Sequence, residues 1–338
     1  MSQVQQLGTS SGKTGNVVYS IKNLSVEFTK SQGFIFRESK VIKAVSNISL
    51  DVLEGEVLSI VGESGSGKTT IARCLIGTIL PTSGSIKFLD DTEVVGLKGS
   101  KLLDYWKNVQ MIFQDPFESM YPKFDVFTII SIPIVQLTGE RDKALLRKQV
   151  EKLLREVGLD PAETMHKLPH QLSGGERQRV SIARALAPNP KVLIADEPIT
   201  MLDASLRLNI LSLLLEIRAK RKLTIVLITH DLASAKVMSD RIAVMYYGKL
   251  MEFGKTSEIL TSPIHPYTEL ILASTPRIGM KREVAKKKSA GEIEVIASGG
   301  CIFRSRCTYA SEICRRTEPK LEEKRKEGWA ACHNPLAS

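Results

Sequence analysis

The chain has 338 residues, of which 43% are hydrophobic and 25% are charged, and its formal net charge is +10. This length suggests two or three structural units with packed interiors. No apolar run approaches the roughly 18 to 20 residues that cross a bilayer, and residues 1–16 contain no apolar leader segment, so we expect a cytoplasmic protein with a flexible N-terminus over 1–16. The positive charge suits nucleic acid, an anionic membrane surface or a membrane partner, and charge alone does not choose among them.

Two segments of alternating hydrophobicity, residues 17–28 and 44–52, each predict a β-strand. The loop between them, residues 31–37, contains Phe34 and Phe36. An aromatic ring can stack on a nucleotide base. The same two side chains can instead anchor the loop by packing, so both interpretations stay open.

The apolar residues 57–61 lead into a glycine-rich segment and then into a helical pattern from Ile71, which predicts a strand, a loop and a helix. The loop comprises Gly62, Glu63, Ser64, Gly65, Ser66, Gly67, Lys68, Thr69 and Thr70. Its backbone N–H groups and the helix N-terminus favour a polyphosphate, Lys68 can reach the β- and γ-phosphates, and the Thr69 hydroxyl can bind magnesium. The alternative is a flexible turn that binds nothing, and the flanking strand and helix argue against it.

A buried strand is predicted over residues 109–113 and ends at Gln114. A neutral amide at a strand end can coordinate a metal or a water and still swing when the next segment moves. Large side chains follow in a region rich in turn formers: Phe117, Met120, Tyr121, Pro122 and Phe124. Clustered aromatic residues are candidates for a partner surface. Ordinary packing under the loop is the alternative.

Apolar side chains recur at helical spacing from Lys143 to Val157, and Gly158 follows as the expected helix end. An amphipathic helix inserted into an α/β chain indicates a helical subdomain, which we predict over residues 119–185. Near its end, three residues precede a long helix: Ser173, Gly174 and Gly175. They predict a second anion-binding helix N-terminus, in which Ser173 can cap the helix and face a phosphate.

Two further apolar strands end in polar side chains. Residues 191–195 lead to Asp196 and Glu197, and residues 224–228 lead to His230. Ligand-binding groups of open parallel sheets lie at the carboxyl ends of strands. Asp196 suits the magnesium shell, Glu197 is placed to polarise a water, and His230 can donate to the γ-phosphate. The alternatives are that Asp196 and Glu197 are ordinary surface acids and that His230 is a core histidine.

Four of the five cysteines lie in the tail, beyond a charge-rich linker at residues 281–289: Cys301, Cys307, Cys314 and Cys332. In a cytosolic protein this clustering favours a structural zinc or an iron–sulfur cluster over disulfides. The spacing lacks the tight Cys-x2-Cys pair usual for zinc, and four unligated thiols are a further alternative. Few large apolar residues accompany them, so we expect metal ligation to supply a good part of the tail's folding energy. We expect this metal site to be remote from the phosphate-binding loop. Cys74 is expected in the core.

Six segments together resemble the motif set of ATP-binding cassette (ABC) ATPases: residues 62–69, Gln114, residues 172–176, Asp196 with Glu197, Leu202 with Asp203, and His230. The resemblance covers residues 17 to 255. It implies an ATPase that works as a head-to-tail pair, with Mg²⁺ and ATP held between the loop of one subunit and Ser173, Gly174 and Gly175 of the other. Two residues depart from the pattern. Glu176 replaces the usual glutamine, and Met201 stands where a small residue is commoner, which can bias communication between the two sites.

Residues 262–276 are similar to the extension on ATPases of the oligopeptide/dipeptide importer subfamily, and residues 111–116 and 182–186 favour the second of its two ATPase types. The resemblance implies a heterodimer with a sibling ATPase, beneath two transmembrane permease subunits at the cytoplasmic face, fed by an extracellular solute-binding protein. It also implies a [4Fe–4S] cluster on the four tail cysteines. Peptides are the implied cargo, with oligosaccharides or metal chelates as alternatives.

The predicted fold class is α/β: a RecA-like P-loop NTPase core with an N-terminal antiparallel β part, an inserted helical subdomain and a small cysteine-rich C-terminal extension. The predicted divisions are 1–16, 17–118, 119–185, 186–262 and 263–338. The first is the flexible N-terminus, the second and fourth are the two parts of the core, and the third is the helical subdomain.

The rival hypothesis is a soluble ABC ATPase that acts on nucleic acid, ribosomes or cluster assembly, which the charge also permits. The tail from Pro263 onward and the aromatic loop favour an importer that binds no nucleic acid. A catalytically inactive subunit is disfavoured because Lys68, Glu197 and His230 are all present.

Overall fold

The structure is a computed structural model that describes residues 16–32, 38–89, 91–274 and 299–336. Phe34, Phe36 and the linker at 281–289 lie outside the described residues, as does nearly all of the segment 1–16. The expectations for them stay predictions.

Twelve strands in the described part of the chain form two sheets. They are β1 (Val17–Gln32), β2 (Glu38–Leu53), β3 (Val57–Val61), β4 (Ser83–Phe88), β5 (Thr92–Glu93), β6 (Val109–Ile112), β7 (Val192–Asp196), β8 (Thr224–Thr229), β9 (Arg241–Tyr246), β10 (Lys249–Lys255), β11 (Glu322–Arg325) and β12 (Gly328–Ala330). An antiparallel sheet has the order β2-β1-β4-β5, and the larger sheet has the order β11-β12-β10-β9-β3-β8-β7-β6.

Polar side chains at the N-termini explain where most of the longer helices begin. The helices are α1 (Lys68–Leu75), α2 (Gly99–Asn108), α3 (Val126–Thr138), α4 (Lys143–Glu156), α5 (Pro161–Thr164), α6 (Gly174–Leu186), α7 (Ala204–Arg221), α8 (Leu232–Met238), α9 (Thr256–Thr261), α10 (Pro266–Ser274) and α11 (Ile313–Arg316), with short 3-10 helices at Pro116–Ser119 and Pro169–Gln171. Asp125, Asp142 and Asp203 accept N–H groups in the first turns of α3, α4 and α7. Gly158 follows α4 with φ of +72°, as the sequence predicts.

The centre of the larger sheet is parallel: β3 pairs with β8 and β9, and β7 pairs with β6 and β8. All residues of β3, β7 and β8 are buried, which is why their sequences are nearly continuous apolar runs. Alternate side chains of β7 face opposite sides. Leu193 and Ala195 pack with the helical subdomain, whereas Val192 and Ile194 pack with the antiparallel sheet.

The C-terminal tail extends the main sheet and does not build a separate core. Strand β12 pairs with β10, so that Trp329 lies opposite Phe253. Phe303 is buried against Tyr246 of β9 and Tyr267 of α10. The prediction that metal ligation supplies a good part of the tail's folding energy did not include this packing.

Among the helices in the described ranges, none combines the length and the apolar character that crossing a membrane requires.

Candidate nucleotide-binding site

Four segments with predicted functional roles follow strands of the parallel sheet. The glycine-rich loop follows β3, Gln114 follows β6, Glu197 follows β7, and His230 follows β8. Because these strands are parallel neighbours, their carboxyl ends meet at one edge of the sheet. The sheet topology thus gathers residues that lie up to 168 positions apart in the sequence, from Gly62 to His230.

The loop has two positions that only glycine can occupy. Gly62 has φ of +156°, and a Cβ atom there would lie 2.2 Å from the Met245 carbonyl oxygen. Gly67 has φ of +97°, and a Cβ atom there would lie 2.1 Å from the carbonyl oxygen of Ala44. The backbone therefore presses against β9 and β2, and helix α1 begins directly at Lys68.

Lys68 is a buried cation at the centre of the loop. Its ammonium group donates to the carbonyl oxygens of Gly62 and Glu63, at 2.8 Å each. Burial lowers the pKa of Lys68, while the nearby carboxylates of Glu197, Asp196 and Glu63 oppose that shift. The ammonium is held by neutral backbone acceptors that phosphate oxygens can replace.

Thr69 and Asp196 form a hydroxyl–carboxylate pair between the loop and β7. The Thr69 hydroxyl donates to Oδ1 of Asp196 at 3.2 Å. Burial raises the pKa of Asp196, and the Thr69 hydrogen bond opposes the shift. Both side chains offer the hard oxygen ligands that Mg²⁺ prefers, and such ions are bound by one or two carboxylates together with waters and substrate phosphates. Within the described ranges no three His, Cys, Asp or Glu side chains form a metal-binding group, and this mode of binding needs none.

Glu197 is the residue on which the other polar groups converge. Its backbone has φ of +45°, which is uncommon for a residue with a side chain, and its N–H donates to the Ile228 carbonyl at 2.9 Å. The Thr200 hydroxyl and the Gln114 amide donate to Oε2 at 2.9 and 3.5 Å. His230 Nδ1 lies 3.2 Å from Oε1. The structure thus brings together the three residues predicted to act in catalysis, which are Glu197, His230 and Gln114.

Ser173 is the N-cap of α6 and forms a reciprocal capping box with Glu176. The Glu176 N–H donates to the Ser173 hydroxyl at 3.2 Å, and the Ser173 N–H donates to the Glu176 carboxylate at 2.7 Å. This hydrogen bonding lowers the pKa of Glu176. The capping box accommodates a glutamate at this position as it would a glutamine, and Gly174 and Gly175 form the first turn that follows. Their predicted contact with a partner's nucleotide stays a prediction.

Asp203 lies at a different helix N-terminus and caps α7. Its carboxylate accepts from the Leu206 N–H at 3.0 Å and from the Ser205 hydroxyl at 2.7 Å. Nearby, Met201 is 66% exposed. The segment between Glu197 and α7 therefore presents a large apolar side chain to its surroundings.

Two contacts at the site are not predicted by the sequence. Thr200 follows Glu197 by three residues, so its hydrogen bond could have been sought in a tight turn after β7. Arg306 contacts Glu63 across 243 residues, for which the sequence carries no local signal. Arg306 directly precedes Cys307, so one residue of the cysteine-rich tail reaches the predicted phosphate-binding loop. The expectation that a cluster on the four cysteines is remote from the ATP chemistry stays a prediction.

The aromatic segment after Gln114 divides into exposed and buried side chains. Phe117, Tyr121 and Phe124 are 46%, 55% and 38% exposed, whereas Met120 is 2% exposed and packs in the helical-subdomain core. The Tyr121 and Phe124 rings lie 4.9 Å apart, and the Arg177 guanidinium lies 4.6 Å from the Phe117 ring. Three of these side chains are exposed and are hereafter called the aromatic surface (Phe117, Tyr121 and Phe124), whereas Met120 belongs to the core.

The four tail cysteines are unpaired thiols. Cys301, Cys314 and Cys332 are buried and Cys307 is half-buried. The Cys301 N–H donates to the Cys314 carbonyl at 2.8 Å, and burial together with the three neighbouring thiols raises the pKa of Cys332 to about 11. The fold gathers the thiols in one region, although no three of them form a metal-binding group as the described side chains stand. Cys74 is buried in the core, as predicted.

This fold and this arrangement of loop, carboxylates and histidine define a P-loop ATPase of the ATP-binding cassette class. Residues 45–200 match the family model described as ABC transporter, and residues 251–314 match the C-terminal region of oligopeptide/dipeptide transporters. The chain belongs to the ABC transporter ATPases, in the oligopeptide/dipeptide subfamily.

Individual proteins support the same assignment. The chain is 36% identical over 312 residues to the oligopeptide transport ATP-binding protein OppF of Salmonella typhimurium, covering 90% of this chain and 93% of that protein. It is 38% identical over 327 residues to the oligopeptide transport ATP-binding protein AppF of Bacillus subtilis, covering 94% and 97%. A solved dimer of the ATP-binding cassette MJ0796, bound to ADP and Pi, is similar with a TM-score of 0.62 and 30% identity, covering 70% of this chain and 98% of that one. The predicted family and fold class are confirmed.

Proposed function

We propose that this chain is the second-type ATPase subunit of an importer for peptides, and that it couples ATP hydrolysis to solute movement. The observation that carries the proposal is the convergence of Lys68, the Thr69–Asp196 pair and Glu197 at one edge of the parallel sheet. The match of residues 251–314 to the oligopeptide/dipeptide C-terminal region supports the importer branch over a soluble ATPase that acts on nucleic acid or ribosomes.

Each residue has a role that follows from its contacts. The loop N–H groups and Lys68 hold the phosphates of ATP, while Thr69, Asp196 and Gln114 hold Mg²⁺. The bound ion neutralises charge on the phosphates. Glu197 orients the attacking water, because its carboxylate is fixed by Thr200 and flanked by Gln114 and His230. His230 then donates to the γ-phosphate.

The second half of each site comes from another subunit. Ser173, Gly174 and Gly175 present a helix N-terminus that suits a phosphate, and Asp203 lies on a neighbouring exposed turn. A similar cassette forms a dimer, which supports the head-to-tail pairing proposed here. We assign the partner position to a sibling ATPase, and the exposed Met201 is a residue by which the two sites can differ.

The membrane partners are two transmembrane permease subunits, which place this chain at the cytoplasmic face. The aromatic surface is the proposed receptor for a permease helix, because exposed clustered aromatic side chains are typical anchors of protein interfaces. The relatives named for oligopeptide transport support peptides as the cargo, delivered by an extracellular solute-binding protein. Oligosaccharides are the alternative cargo.

The four tail cysteines are the proposed ligands of a [4Fe–4S] cluster. Four neighbouring, largely buried thiols supply the donor chemistry that such a cluster requires. Burial raises the pKa of Cys301, Cys307 and Cys332, so ligation must release protons. A bound cluster would cross-link the tail. Zinc, or thiols without metal, are the alternatives.

Affinity purification of the tagged chain from its native membranes tests the transport assignment. We expect permease subunits, a second ATPase and a solute-binding protein in the eluate, and ATP-driven uptake of peptides after reconstitution in proteoliposomes. The Glu197→Gln variant is the matched control, because it should assemble equally but not drive uptake. Co-purification of nucleic acid or ribosomes, with ATPase activity stimulated by them, would favour the soluble rival.

A further inference from the structure

The C-terminal extension contacts the predicted phosphate-binding loop through an ion pair between Arg306 and Glu63. Arg306 donates from both terminal nitrogens to the two carboxylate oxygens of Glu63, at 2.8 and 2.9 Å. The Arg306 side chain is 18% exposed and that of Glu63 is 44% exposed. A two-pronged guanidinium–carboxylate contact fixes orientation as well as distance. It therefore constrains Glu63 more than a single-point surface ion pair would.

A second group of the extension holds the backbone of the same residue. The Tyr267 hydroxyl accepts the Glu63 N–H at 3.1 Å. Tyr267 is itself fully buried, and its ring lies 4.6 Å from that of Tyr246 and 5.3 Å from that of Phe303. The hydroxyl thus comes from a packed aromatic cluster, so that both the side chain and the backbone of Glu63 are held from outside the loop.

The position of Glu63 affects the geometry of the whole phosphate-binding loop. It lies between Gly62 and Gly65, whose backbones have little intrinsic resistance to motion. Its carbonyl oxygen also accepts from the Lys68 ammonium. Any shift of Glu63 therefore changes both the direction of the loop N–H groups and the position of the lysine.

We propose that Arg306 and Tyr267 are positioning residues for nucleotide binding, and that they hold the loop open in its phosphate-binding shape from the C-terminal extension. The inference rests on the proposed assignment of ATP to residues 62–70. The contacts of Arg306 and Tyr267 with Glu63 are hereafter called the clamp. Without the clamp, nucleotide binding must also order the loop, and the affinity for ATP falls. Linkage makes the effect reciprocal, so bound ATP stabilises the contact between the tail and the loop.

A double-mutant cycle on the full-length chain tests the clamp, with the affinity for a fluorescent ATP analogue as the measurement. We expect Arg306→Gln and Glu63→Gln each to weaken binding about three- to tenfold, and the double variant to be no weaker than either single variant. Arg306→Lys should weaken binding less than Arg306→Gln, because lysine keeps the positive charge but cannot donate two parallel hydrogen bonds to the carboxylate. Tyr267→Phe should weaken binding in the same direction.

Arg304→Gln is the matched control. Arg304 lies in the same tail segment and donates to the Cys301 carbonyl at 3.3 Å, so its loss perturbs the segment without touching Glu63. We expect unchanged ATP affinity. Hydrogen exchange in nucleotide-free protein gives a local readout: the amides of residues 63–68 should exchange faster in Arg306→Gln and at the parental rate in Arg304→Gln.

Two outcomes overturn the clamp. Additive losses in the double variant would mean that Arg306 acts on ATP by its charge alone, and parental affinity with parental exchange in Arg306→Gln would mean that the ion pair does not position the loop. Lys68→Met separates these results from a failure of the site itself. If Lys68→Met loses ATP binding while Arg306→Gln does not, only the clamp is wrong, whereas full binding by Lys68→Met would refute the site assignment.

Discussion

His230 Nδ1 lies 3.2 Å from Glu197 Oε1, so the residues that follow two neighbouring parallel strands meet at the end of the sheet. A neutral imidazole has a single N–H. When Nδ1–H faces Glu197, Nε2 is an acceptor and cannot also donate to a γ-phosphate. The donation to a γ-phosphate that we propose for His230 therefore requires the other tautomer or a separation of His230 from Glu197. Under that proposal, the pair links the presence of the γ-phosphate to the freedom of the Glu197 carboxylate.

Replacing Glu197 with glutamine should remove turnover and keep binding. The amide has nearly the same shape but lacks the charge that orients water, so we expect kcat to fall about 100-fold or more while the affinity for ATP changes little. Steady-state hydrolysis and equilibrium binding measure the two effects. Glu216→Gln is the control, because Glu216 is an exposed acid on α7. Within the described residues its ion pair is with Lys220, at 3.8 Å. Hydrolysis by Glu197→Gln at the parental rate would refute the assignment.

Lys68→Met should show the opposite profile. Lys68 is buried among backbone carbonyls of the loop, and its ammonium is the cation proposed to meet the phosphates. We expect the dissociation constant for ATP to rise at least about tenfold, which corresponds to about 1.4 kcal/mol. Calorimetry or fluorescence titration measures it. Arg73→Met is the control, because Arg73 is an exposed cation on the same helix. A tight complex in Lys68→Met would contradict the proposed role.

The central sheet and the site could be predicted because their signals are local. A buried parallel strand is an apolar run, and the polar residues after each run mark its carboxyl end, as at Asp196 and His230. The prediction was less accurate at strand ends. Strand β1 continues to Gln32 because it pairs with β2 as far as Glu38, and that pairing is a tertiary contact which alternation does not show.

The tail could not be predicted in the same way. Pairing of β12 with β10 joins residues such as Phe253 and Trp329, which lie 76 positions apart, and the Arg306–Glu63 pair joins residues 243 positions apart. Neither contact leaves a periodic pattern. The cysteine spacing indicates metal ligation but carries no information about the packing of the tail. Phe303 is a single apolar residue, and its burial depends on Tyr246 and Tyr267, which are distant in the sequence.

Truncating the aromatic surface should uncouple transport without unfolding the ATPase. In the triple variant Phe117→Ala, Tyr121→Ala and Phe124→Ala, we expect uptake by the reconstituted importer to be lost while ATP binding by the isolated chain is retained, since all three side chains are exposed. Met120→Ala is the contrasting control. Met120 is buried, so its truncation should destabilise the fold by about 2–4 kcal/mol. Undiminished uptake by the triple variant would leave these side chains as loop packing.

The ion pair between Glu156 and Arg221 should stabilise the junction of the helical subdomain with α7. Arg221 Nε donates to one Glu156 oxygen at 2.7 Å and a terminal nitrogen donates to the other at 2.5 Å. We expect Glu156→Gln to lower the free energy of unfolding by about 1–2 kcal/mol at neutral pH. Glu151→Gln, on the same helix, is the control: its partners Arg147 and Arg155 are exposed, so it should change stability by less than about 0.5 kcal/mol.

The pH dependence of this pair has a definite sign. Hydrogen bonds from Arg221 lower the pKa of Glu156 from its ordinary 4.5, and burial opposes part of that shift. A carboxylate with a lowered pKa in the folded state contributes its stability fully above the unfolded pKa and loses it as pH falls through the folded pKa. The difference in thermal midpoint between the parent and Glu156→Gln should therefore be constant above about pH 6 and shrink below pH 4.5. A difference that grows with acid would contradict this account.

The tail cysteines allow a test in which metal content, tail order and ATP binding are separated. Protein made and kept without oxygen should be brown and should contain iron and labile sulfide, because four thiolates are the usual ligands of a [4Fe–4S] cluster. Replacing Cys301 and Cys314 by serine should abolish the iron and speed hydrogen exchange across residues 299–336. Cys74→Ser is the matched control, since Cys74 is buried on α1 and lies far along the chain from the tail thiols.

The consequences for ATP distinguish the two roles of the tail. Packing of Phe303 and pairing of β12 also attach the tail to the main sheet, so the cysteine variant should keep ATP binding. If the Arg306–Glu63 contact loosens with the tail, the affinity of the cysteine variant for ATP should fall about as far as that of Arg306→Gln and no further. Both changes release the same residue of the loop, Glu63. Stoichiometric zinc without iron would replace the cluster and keep the site. Absence of any metal in anaerobically purified protein would leave four thiols and refute ligation.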